Sequence, residues 1–147
     1  MTAARLAARC VELLGAVDGP VAVVARRRVR AALAAQLRLA DDGAPAPAAL
    51  CVFLGESVDC DTRRTRLDGL AARVPPGAPL VAVDHNQPRA RWRRLLGALV
   101  LLTRGQSPAR ARHPVARELQ ARGFTVERLR LASGERVQLV LARKRVD

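Results

Sequence analysis

Three short stretches of this chain concentrate side chains able to do chemistry. Arg26, Arg27 and Arg28 follow the apolar run VAVVA, Gly55, Glu56, Ser57 and Asp59 follow ALCVFL, and Asp84, His85 and Asn86 close LVAVD and open the loop after it. An imidazole titrates near neutrality, so His85 suits general-base work with Asp84 as its orienting partner. Neighbouring loop residues rarely point the same way, and the three read equally as unrelated loop positions. The arginine triplet, between a strand and a helix, would welcome a phosphate on its guanidinium groups and on helix N-terminal amides. A solvated basic first turn is the other reading. Glu56, Asp59, Asp61 and Asp68 read as ligands or as solvated carboxylates paired with Arg63, Arg64 and Arg66, with Asp61 as the N-cap of a helix beginning at Thr62. No metal site is expected. The two histidines, His85 and His113, and the scattered carboxylates lack ligand spacing, and Cys10, Cys51 and Cys60 form no CxxC pair and read as reduced, buried thiols.

These stretches share one feature, a position just after an apolar run. Val21–Ala25, Ala49–Leu54 and Leu80–Asp84 are short and nearly continuous in apolar residues, the pattern of parallel strands covered on both faces. Helical spacing separates them: Ala3–Leu14 before the first; Val29, Leu33, Leu37 and Ala40 after it; Thr62–Val74 with Leu67, Leu70 and Ala71 inward; then Arg89–Leu102 and Pro114–Arg122. The chain ends in two β-rich runs joined by ASG, an antiparallel hairpin. Its first strand, Phe124–Leu131, carries Glu127, Arg128 and Arg130 and suits an edge; its second, Val137–Ala142, is apolar and belongs between the third strand and the first of the hairpin. The expected fold is α/β: a Rossmann-like three-layer sandwich with a mostly parallel sheet of about five strands and an antiparallel C-terminal hairpin strand, in a single domain over 1–147. In such sheets ligands collect outside the carboxyl ends of the strands, where all three stretches lie.

Composition narrows the function. With 147 residues, half of them apolar, the chain can bury a core, and disorder is excluded. Its longest apolar run, Leu95–Leu102, is too short to cross a membrane, and MTAARLAARC lacks the features of a secretory signal, so a cytoplasmic location is expected. The net charge of +13 is carried almost wholly by arginine, a bias that fits a GC-rich coding sequence as well as a polyanion partner. Nucleic acid is the less favoured partner, because Phe53, Trp92 and Phe124 are the only aromatic residues that could stack on bases. The segment PRARWRRLLGALVLL, Pro88–Leu102, pairs a basic start with an apolar end; it suits an acidic membrane surface, a cover over a lipophilic substrate, or a core helix.

Particular strings add a resemblance. CVFLGESVDC, LAARVPPGAPLVAVD and ELQARGFTVERLRLASGERVQLVLARK resemble, in order and spacing, the fourth strand with its loop, the fifth strand with its Pro-Gly turn, and the terminal hairpin of class I S-adenosylmethionine-dependent methyltransferases, especially the quinone-modifying, small-molecule type. The resemblance covers Ala49 to Lys144. It implies S-adenosylmethionine as cofactor, a small and in some cases lipophilic acceptor, Gly55, Glu56 and Asp59 on the cofactor side, and Asp84, His85 and Asn86 at the reacting end. The N-terminal third departs from it. The family places a glycine-rich loop after strand one, where backbone must approach the cofactor without a Cβ, and an acid at the end of strand two for the ribose. Here VAVVA runs into Arg26, Arg27, Arg28 and Arg30, so the sheet is expected to be shortened by about two strands at its N-terminal side. Three functions follow: methyl transfer to a small molecule; a degenerate, non-catalytic homologue serving as a protein partner in a homo- or hetero-oligomer; and a basic polyanion-binding module.

Overall fold

The computed structural model describes residues 2–54, 60–86, 91–103 and 115–146. Its elements are α1 (Ala3–Leu14), β1 (Val21–Val24), α2 (Arg27–Ala34), β2 (Ala48–Val52), α3 (Cys60–Arg73), β3 (Pro79–His85), α4 (Arg91–Leu102), α5 (Val115–Gln120), β4 (Phe124–Ala132) and β5 (Val137–Lys144). The five strands form one sheet in the order β1-β2-β3-β5-β4, with β1, β2 and β3 parallel and β5 antiparallel to both of its neighbours. The apolar β5 therefore lies inside, and β4 takes the edge with its charges and a bulge between Val126 and Arg128.

Two apolar layers sandwich the sheet. Leu6, Leu13 and Leu33 of α1 and α2 pack with Val23, Leu50 and Val83 on one face. On the other, Leu67, Leu70 and Leu119 of α3 and α5 pack with Cys51, Leu80 and Val140. Alternate strand residues enter opposite layers, so β2 is apolar throughout and β3 is apolar up to Asp84.

Several boundaries differ from the sequence expectation. Spacing carried the second helix through Leu37 to Ala40, yet α2 stops at Ala34. The chain runs back beside β1 instead: Val21 N–H donates to the Arg38 carbonyl at 2.8 Å, and Ala40 N–H donates to the Val21 carbonyl at 2.9 Å. These bonds satisfy the edge of β1, which outweighs one more helical turn. Asp61 lies inside the first turn of α3 rather than capping it, still near the positive end of the helix dipole. His85, placed in a loop by its sequence, is the last residue of β3. The final short helix ends at Gln120, and Gly123, with φ 81°, turns the chain into β4.

The thiols of Cys10 and Cys51 are buried, and burial pushes both up from 9.0 to about 12, the Asp84 charge adding to the effect at Cys51. A raised thiol is neutral in the fold at a pH where the unfolded chain ionises. Stability from this source is therefore intact below pH 9 and lost as pH rises toward 12. Iodoacetamide at pH 8 is expected to spare both residues in the native protein and label both in urea, read by peptide mass spectrometry.

Helix α4 behaves differently from the other helices. Trp92, Leu95 and Leu99 are 60%, 68% and 58% exposed, so this is not the core helix that its apolar run allowed. Replacing Leu95 and Leu99 by Gln is expected to shift unfolding free energy by less than about 0.5 kcal/mol each. Leu67→Ala, in contrast, should cost about 2–5 kcal/mol in the same urea titration.

Candidate functional site

The chain leaves β1 through α2 on one face and returns at Leu39 along the outer edge of β1. It leaves β2 through α3 on the opposite face and continues to β3. The connections thus diverge between β1 and β2, the switch point at which open α/β sheets bind their ligands. A cavity of about 410 Å³ lies there, at the carboxyl ends of β1 and β2. That size suits a small molecule. Val23, Val24 and Ala25 form one wall, and Val52, Phe53 and Leu54 the other.

Charge enters this crevice from three elements. Arg26 and Arg30 come from the start of α2, Arg66 and Arg73 from α3, and Asp42 from the loop after Leu39. Arg30 donates through Nη1 to the Val23 carbonyl at 3.1 Å and through Nη2 to Asp42 Oδ1 at 3.3 Å. Arg73 fixes the loop by donating to the Ala44 and Asp41 carbonyls at 2.7 and 2.6 Å, and so positions Asp42. Phe53 has φ 54°, a left-handed conformation costly for a bulky residue, at about 1–3 kcal/mol. Its N–H donates to the Val83 carbonyl at 2.8 Å, and its ring stacks on His85 with centroids 4.7 Å apart. His85 therefore stands one aromatic ring away from the crevice.

The structure separates residues that the sequence grouped. Of the arginine triplet, Arg26 lines the cavity, whereas Arg27 and Arg28 are exposed outside its lining. The Asp84 carboxylate does not orient the His85 imidazole: Oδ2 accepts from Arg63 Nη1, and Oδ1 accepts from the backbone N–H of His85 at 2.7 Å. Asn86 faces the β4–β5 turn, its Nδ2 donating to the Glu135 carbonyl at 2.8 Å, and Gln138 Nε2 donates to the His85 carbonyl at 3.0 Å. The end of β3 is thereby pinned to the hairpin. Gly55, Glu56, Ser57 and Asp59 lie outside the described residues. Sequence reading did not single out Asp42, Arg66 or Arg73 for this crevice, nor the buried Arg63. The available signal for Asp42 was its place in ADDG, just after the second helical run. No group of three or more metal-binding side chains occurs among the described residues.

Neither a family model nor a curated protein matches this sequence. Solved structures do match in shape. An O-methyltransferase family protein from Burkholderia thailandensis superposes with a TM-score of 0.60 at 13% identity, over 97% of this chain and 57% of that one. The fold is that of class I methyltransferases. An O-methyltransferase family 2 protein from Planctomyces limnophilus, solved with apigenin, gives 0.62 at 15% identity, over 97% and 56%. The glycopeptide N-methyltransferase MtfA, solved with sinefungin, gives 0.55 at 16% identity, over 98% and 94%. The chain spans about half the length of the first structures it matches. Within the methyltransferase fold, the pairing of β1 with β2 assigns VAVVA to the place of strand one, beside the fourth-strand equivalent. Leu39 then runs where strand two would lie, and Asp41 and Asp42 follow it.

Proposed function

We propose that this chain is a class I methyltransferase-like protein that binds S-adenosylmethionine in the switch-point crevice for methyl transfer to a small acceptor. The observation that carries this reading is the coincidence of the cavity with an acid, Asp42, just past the position of strand two. Asp42 suits the ribose hydroxyls, and its side chain is 88% exposed, with one oxygen outside the Arg30 bond. Phe53 and Leu54 offer apolar surface to the base. When bound, the cofactor supplies an electrophilic methyl group on a sulfonium. The chain's own part is mostly to hold the acceptor in line and exclude water. His85, stacked on the far side of Phe53, would serve as base for an acceptor that reaches past Phe53.

One observation favours a second reading, a non-catalytic homologue that works with a protein partner. The turn from β1 into α2 is Ala25-Arg26-Arg27, with no glycine and no positive φ, so the backbone cradle of the family loop is replaced by side chains. Calorimetric titration separates the two. Saturable binding of S-adenosylmethionine and of its demethylated product is expected, and absence of heat at millimolar ligand would sink catalysis by this chain and leave the partner reading.

A further inference from the structure

We infer that the switch-point crevice holds a phosphate-bearing small molecule, seated chiefly by Arg66 and Arg26; as a statement about the acceptor, this rests on the reading above.

Among the described residues, four guanidinium groups, of Arg26, Arg30, Arg66 and Arg73, line the same cavity as one carboxylate, Asp42, an excess of three positive charges in that lining. S-adenosylmethionine brings one carboxylate against an ammonium and a sulfonium, so it adds to that excess. A second, anionic ligand offsets that excess. Arg30 and Arg73 are committed to Asp42 and to backbone carbonyls. Arg66 is exposed on α3 and donates to no protein group among the described residues, which leaves its whole fork for a ligand.

Helix α2 points the same way independently. Its N-cap is Arg26, which makes no side-chain capping bond, and its first turn holds no acidic residue. Arg26, Arg27 and Arg28 thus crowd positive charge onto the positive end of the dipole, an arrangement that costs stability in the free protein. An anion at that end reverses the sign of the interaction and takes up amide donors that the cap leaves open. A phosphate suits this seat better than a carboxylate, having up to two charges and three acceptor oxygens for guanidinium forks and amides together.

The test is calorimetric titration with inorganic phosphate, without cofactor, at 0.15 M chloride of roughly physiological strength. Three variants are compared with the unaltered chain: Arg66→Ala and Arg26→Ala in the crevice, and Arg128→Ala, an exposed arginine on β4 that changes net charge equally. Saturable binding is expected, weakened about tenfold or more by each crevice substitution and less than about twofold by Arg128→Ala. Equal weakening by all three would mean diffuse attraction to a basic surface and would overturn the inference, as would no saturable heat at about 20 mM phosphate, far above the range of a built site. Phosphate binding of the expected pattern in a protein that ignores S-adenosylmethionine would uphold the anion seat and refute only the methyltransferase reading.

Discussion

Replacing Arg63 by methionine is expected to cost about 3–5 kcal/mol of folding stability, measured by urea unfolding. This guanidinium is 3% exposed beneath the sheet. Nη1 donates to Asp84 Oδ2, Nε to Glu118 Oε1 at 2.9 Å, and Nη2 to Glu118 Oε2 at 2.7 Å. Burial alone would lower its affinity for the proton, but the bonds to Glu118 and Asp84 more than offset this and keep it charged. Removing the cation leaves Asp84, itself 2% exposed, as an uncompensated charge in the core, which is why the loss exceeds that of an ordinary cavity. Arg63→Lys should fall between, since an ammonium keeps the charge but cannot make the fork to two carboxylates. Exchanging the cluster together, Arg63→Met with Asp84→Leu and Glu118→Leu, should recover most of the stability. If the single variant unfolds at the same urea concentration as the unaltered protein, the cluster has no structural weight.

The same cluster explains where the sequence was legible and where it was not. Every strand was readable, because β1 and β2 are continuous apolar runs, β3 and β5 are apolar through their middles with both faces covered, and β4 carries charges as an edge does. The insertion of β5 between β3 and β4 also followed from that contrast. Arg63 was unreadable, since an arginine in a charged helix looks solvated until Asp84 and Glu118 are brought to it from elements 21 and 55 residues away. The crevice failed for a related reason. Arg26 was visible as the residue after a strand, but Asp42 enters only because the chain abandons α2 at Ala34 to satisfy the edge of β1. Arg66 and Arg73 depend on how α3 lies on the sheet, and the left-handed Phe53 has no sequence mark, since nothing but its surroundings imposes φ 54°. Local pattern fixes elements; long-range pairing of polar groups fixes sites.

Asp42→Ala is expected to raise the Kd for S-adenosylmethionine about 10–100-fold, the usual loss when a charged acceptor of ligand hydroxyls is removed. Folding stability should change by less than about 0.5 kcal/mol, because Asp42 is 88% exposed and its 3.3 Å pair with Arg30 is well solvated. The two quantities therefore separate a binding role from a structural one. The substitution also removes the carboxylate that faces the four guanidiniums among the described lining residues. A cofactor with net positive charge is then repelled further, while an anion is drawn more strongly and Arg30 is released to meet it. One substitution should thus weaken S-adenosylmethionine and tighten inorganic phosphate, in parallel calorimetric titrations. Loss of both would mean that Asp42 only holds the 41–44 loop in shape. An unchanged cofactor affinity would remove Asp42 from the ribose and leave the cofactor reading without its acid.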